Sequence, residues 1–107
     1  MKAITAILAT AGCFVAGLAS AATEAEVMDI AKKSGCLACH SLDKKLVGPA
    51  WKEVGAKYAG QGDAEAKLLA KIKKGGKGVW GEVPMPPNPT VKETDIKTLI
   101  AFVLTLK

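Results

Sequence analysis

The sequence predicts an all-α domain of about four short helices, and three observations carry that reading. Apolar residues recur at helical spacing in four separate stretches of the 107-residue chain. No stretch alternates apolar and polar residues as a half-buried strand would. Glycine and proline cluster between the helical stretches, where they end one element and set up the next. No internal repeat is present.

The first 22 residues stand apart from this domain. Lys2 gives a short positive start, Ile4 to Leu18 is apolar with small residues, and Ala19-Ser20-Ala21-Ala22 allows cleavage after Ala21 or Ala22. Residues 1–22 therefore read as a secretory signal peptide and 23–107 as the domain. A membrane anchor would need an apolar run of about 20 residues, longer than this one. A lipid anchor at Cys13 is disfavoured because Thr10 stands where a leucine usually precedes such a cysteine.

Within the domain, Thr23-Glu24-Ala25-Glu26 is a capping-box pattern, followed by Val27, Ile30 and Ala31 on one helical face until Ser34-Gly35. Ser41 to Val47 is polar and lysine-bearing, a loop. Pro49 is suited to open the second helix, with Trp51, Val54 and Tyr58 on its inner face and Gly60 and Gly62 closing it. Asp63 is positioned to cap the third, which carries Leu68, Leu69 and Ile72 as its apolar stripe. Lys71, Lys73 and Lys74 favour the negative end of its dipole, and Gly75-Gly76 stops it. Gly78 to Thr90 is a Gly- and Pro-rich loop. Thr90-Val91-Lys92-Glu93 repeats the capping-box pattern before Ile96, Leu99, Ile100, Val103 and Leu104, the stripe of a C-terminal helix.

Between the first helix and the loop lies Cys36-Leu37-Ala38-Cys39-His40, a C-x-x-C-H signature for covalent haem attachment. Each thiol can add to one porphyrin vinyl group, and the following histidine is placed to coordinate the iron. A thioredoxin-like dithiol would need a βαβ setting, which is missing. A structural zinc site wants four ligands, and the mature chain offers only Cys36, Cys39 and His40.

The second informative residue is Met85, in Val83-Pro84-Met85-Pro86-Pro87-Asn88. A methionine between prolines has no helical periodicity to explain it, and the prolines limit how far its thioether can move. A soft sulfur on a stiff loop suits the sixth position of a haem iron. Met28 lies inside the first helix and reads as a packing residue.

Composition fits a haem-filled domain. Cleavage leaves about 85 residues, a length at which the polypeptide alone buries a marginal core and a central cofactor supplies apolar bulk. Removing Lys2 from the 15 basic residues leaves 14 against 10 acidic, all lysines and no arginine. Two haem propionates would bring the net charge from about +4 to about +2 in the ferrous state. Lysine, a hydrated point charge, suits salt-sensitive encounter more than a bidentate grip. The lysines are not interleaved with stacking aromatics, so nucleic acid is not an expected partner.

With these residues in place, the mature chain resembles the small bacterial class I cytochromes c of the c-551/c-552 type. C-L-A-C-H, V-G-P-A-W, K-I-K-K-G-G, G-V-W-G, V-P-M-P-P-N and the last helix occur in that family's order. The resemblance implies a small cytochrome c fold wrapped around one haem c per chain, bound through Cys36 and Cys39 with His40 and Met85 as axial ligands. It also implies that the Pro49 carbonyl accepts a hydrogen bond from the His40 ring, that Asn88 hydrogen-bonds near the Met85 sulfur, and that Trp80 reaches a haem propionate. Some relatives carry arginine where this chain has Lys71, so a propionate contact there is a weaker implication. Trp51 stands where relatives commonly have tyrosine and takes no functional role in this reading.

Filled axial positions leave no place for a substrate, so the expected activity is one-electron transfer by a monomeric, non-enzymatic periplasmic carrier with no stable membrane insertion after signal cleavage. Expected partners, on the resemblance, are a periplasmic nitrite reductase, a terminal oxidase or a cytochrome bc complex in respiration or denitrification. The rivals are a haem peroxidase or small-ligand-binding haem protein, which would require Met85 to leave the iron, and a haem subunit held permanently in a larger complex.

Overall fold

The computed structural model describes Gly12 and residues 21–106. The expected signal peptide lies almost wholly outside them. Four α-helices follow in order, α1 Glu24–Lys33, α2 Trp51–Tyr58, α3 Ala64–Lys74 and α4 Glu93–Val103, with a 3-10 turn at Cys36–Ala38. Among the described residues there is no named strand, as expected. None of the described helices is long and apolar enough to cross a membrane.

The C-terminal helix α4 is the hub, packing against α1, α2 and α3. Its Ile96, Leu99, Ile100 and Val103 are buried against Val27 and Ala31 of α1, Trp51 and Val54 of α2 and Leu68 of α3. Burial of each large side chain is worth roughly 1.5–3 kcal/mol, so this small cluster, more than helix propensity, holds short helices together.

The helix starts show where local signals suffice. Thr23 caps α1 as expected, its hydroxyl accepting the Glu26 N–H at 3.2 Å. The other three starts differ from expectation. Pro49 precedes the cap residue Ala50 instead of opening α2. Loop carbonyls satisfy the first free N–H groups there, Ser41 accepting from Trp51 at 2.9 Å and Leu42 from Lys52 at 3.1 Å. Asp63 occupies the cap position of α3 but makes no capping bond; its carboxylate pairs with Lys67 at 3.1 Å. The capping box at Thr90 does not form. Lys92 is the cap residue of α4, and Glu93 pairs across the helices with Lys73 of α3 at 3.1 Å.

Candidate haem site

Gly35, with φ 76°, turns the chain sharply out of α1 into the 3-10 turn. Cys39 and His40 then both donate their N–H to the Cys36 carbonyl, at 3.2 and 3.0 Å. This tight winding brings Cys36, Cys39 and His40 to the wall of one crevice. The two thiols are half-buried and not bonded to each other. Burial pushes the Cys36 thiol above its ordinary value, with the neighbouring Cys39 adding to the shift.

Three contacts fix the His40 ring. Its Nδ1–H donates to the Pro49 carbonyl at 2.8 Å, the partner expected from the sequence. With Nδ1 as the donor, Nε2 keeps a free lone pair that is available to a metal. Gly48 lies so close that a Cβ there would stand 2.7 Å from the ring Cε1, and its own N–H donates to the Cys39 carbonyl at 2.8 Å. The buried Trp51 ring stacks at 6.0 Å between centroids and 26° between planes, within the range of favourable aromatic pairs. Trp51 therefore helps to position His40, a role the sequence reading did not give it. The only available signal was its place two residues after Pro49.

The opposite side of the site comes from the loop between α3 and α4. Gly75 ends α3 at φ 72°, and a Cβ there would run into the Met85 carbonyl and the Pro87 nitrogen. Met85 and Gly76 exchange both backbone hydrogen bonds, at 2.8 and 3.0 Å, forming an isolated antiparallel bridge. Asn88 ties the far side of the loop to α3. Its backbone N–H donates to the Ile72 carbonyl at 3.0 Å, and its side-chain amide donates to Ile72 at 3.3 Å and to Pro86 at 3.2 Å. In this structure that amide nitrogen serves two carbonyls, and the contact near the Met85 sulfur that the resemblance implies is not among its bonds. Asn88 braces the loop that carries Met85.

Met85 lines the same crevice as Cys36, Cys39 and His40, and Trp80 and Lys71 line it too. Its floor is the helical core, with Leu68, Leu99, Ile100 and Val103. Leu46, Val47, Val79, Trp80 and Val83 are large apolar side chains left 40–62% exposed, and of these all but Leu46 line the crevice. Apolar walls around an opening into the core suit a flat apolar group. Two thiols for covalent attachment, an imidazole with Nε2 free and a soft thioether suit haem iron in particular. The residues present fit a c-type haem.

Comparison with known proteins agrees with this geometry. Residues 24–107 match the Cytochrome c family model. The chain is 48% identical over 99 residues to cytochrome c-552 of Nitrosomonas europaea, covering 92% of this chain and 91% of that protein. It is 57% identical over 79 residues to cytochrome c-551 of Azotobacter vinelandii, covering 74% of this chain and 95% of that one. The crystal structure of the wild-type Nitrosomonas europaea cytochrome c552 superposes with a TM-score of 0.72 at 52% identity, over 75% of this chain and 99% of that chain.

Proposed function

The chain belongs to the cytochrome c family, as a small class I member of the c-551/c-552 type with one covalently bound c-type haem, and from that premise we propose that it is a periplasmic one-electron carrier in which His40 and Met85 would ligate the iron. The observation that carries the proposal is the pair of braces on those two side chains. His40 is held through Nδ1 by Pro49, and Met85 is held through its backbone by Gly76.

When bound, haem supplies a ferric–ferrous couple that takes up or releases one electron. The chain's own residues decide how that couple is used. Cys36 and Cys39 hold the group by thioether bonds. The hydrogen bond from His40 to Pro49 fixes the tautomer and raises the basicity of the coordinating nitrogen. The Met85 thioether would be the second protein ligand and would favour the ferrous state, raising the potential relative to a second histidine. Leu68, Leu99 and Ile100 keep water from the interior, which disfavours the extra charge of the ferric state and pushes the potential the same way. Trp80 and Lys71 line the crevice and are the residues that would meet a propionate. With two ligands supplied by the chain, the iron would have no open site for a substrate, which favours a carrier over a peroxidase.

Residues 1–22 direct export and are removed, leaving 23–107 as a monomeric domain. Electrons pass between partners such as a cytochrome bc complex and a periplasmic nitrite reductase or terminal oxidase. Stopped-flow oxidation of the reduced protein by these partners tests the reading. Second-order transfer should slow as salt rises, since the field of the lysines reaches only about 10 Å at 0.1 M ionic strength. Failure to exchange electrons with any of them, in protein with intact haem, would contradict it.

A further inference from the structure

The turn that carries Trp80 is poorly tied to the rest of the fold. Gly78 donates to the Gly81 carbonyl at 2.8 Å, closing the turn on itself. The next bonds are those between Gly76 and Met85. Among the described residues, no hydrogen bond joins residues 79–84 to a helix. Trp80 is 40% exposed, and Val79 and Val83 beside it are 47% and 62% exposed, so the helical core itself packs little against this wall. One directed contact reaches it from a helix: the Lys57 ammonium stands over the Trp80 ring, 5.6 Å from its centroid. Lys57 lies in the last turn of α2, whose inner face, Trp51 and Val54, is buried in the core. The cation is therefore presented from a helix anchored in the core to a turn that makes no hydrogen bond to a helix among the described residues.

We propose that Lys57 is a positioning residue for the cofactor crevice, pinning the Trp80 indole by a cation–π contact and so holding the Gly78–Gly81 turn as one wall of the site. An ammonium within about 6 Å of a tryptophan centroid is attracted by the negative face of the ring. Tryptophan is the strongest of the aromatic partners. Lys57 makes no ion pair among the described residues, whereas Lys33, Lys52, Lys67, Lys73 and Lys97 each pair with a carboxylate. Loss of the cation should let the indole leave the crevice wall more often, without touching the attachment of the haem.

The test uses the haem-loaded, reduced protein and follows hydrogen exchange at the indole N–H groups by NMR, with buried Trp51 as the internal reference. The inference rests on the crevice being the haem site, but covalent haem is verified separately in every variant, so the two readings can fail independently. Lys57→Gln should speed exchange at the Trp80 indole about two- to fivefold, the population change that an exposed cation–π contact is worth. Exchange at Trp51 should not change, and Lys57→Arg should behave as the wild type because it keeps the cation. Unchanged Trp80 exchange in Lys57→Gln, equal acceleration at Trp51, or an arginine variant that matches glutamine would each overturn the proposal.

Discussion

Met85 and Gly76 hold each other by two backbone hydrogen bonds, 2.8 and 3.0 Å long, across the loop that joins α3 to α4. The pair sets where the thioether-bearing residue enters the crevice, and it depends on Gly75. That residue has φ 72° and no room for a Cβ beside the Met85 carbonyl.

Gly75→Ala should therefore damage the methionine side of the site specifically. A left-handed conformation imposed on alanine, together with the collision, is expected to cost about 1–3 kcal/mol. Thermal unfolding should show the loss. Optical spectra should show a weakened methionine-to-iron charge-transfer band at temperatures where the helices remain folded.

Gly48→Ala probes the histidine side. The added methyl would lie 2.7 Å from His40 Cε1, so the ring must shift away from its bond to Pro49, at an overpacking cost of about 1–3 kcal/mol. Weakening that bond lowers the basicity of Nε2, the nitrogen proposed to bind the iron. The midpoint potential should rise and the unfolding midpoint should fall, in redox titration and denaturant melts of the same sample.

The bridge from α3 to α4 gives a pH dependence with a definite sign. The hydrogen bond and charge of Lys73, with a smaller contribution from Lys97, hold the Glu93 carboxyl below its usual value of 4.5. A carboxyl lowered in the folded state stabilises the fold above the unfolded value and loses that contribution as pH falls through the lowered one. Wild type should thus exceed Glu93→Gln in stability at pH 7, with the difference closing only on the acid side of 4.5. Denaturant midpoints across that window check this, and a constant difference at all pH values would remove Glu93 as the cause. The pair is solvent-exposed, so added salt should shrink the difference.

What was legible in the sequence follows the reach of each signal. Cys36 to His40 and the proline-flanked Met85 are local patterns with chemistry attached, and both reach the same crevice. Thr23 caps its helix because donor and acceptor are three residues apart. The capping box at Thr90 read equally well, but the helix starts after Lys92 and Glu93 pairs with Lys73, 20 residues earlier. Pro49 read as a helix opener, whereas its carbonyl orients His40 and loop carbonyls take over the start of α2. The stacking of Trp51 on His40, the Gly76–Met85 bridge and the placing of Lys57 over Trp80 arise only when separate segments pack, and no local spacing encodes them.

The central claim is that Met85 makes this haem a carrier, and the most direct measurement is the midpoint potential of Met85→Ala and Met85→His read together with their ligand-binding spectra. Met85→Ala should lower the potential, bind added cyanide or carbon monoxide readily and gain peroxidase activity. Met85→His should stay six-coordinate and low-spin yet also lower the potential, because imidazole favours ferric iron more than thioether does. If Met85→Ala kept the wild-type charge-transfer band and potential, Met85 would not be the ligand and the account would be wrong.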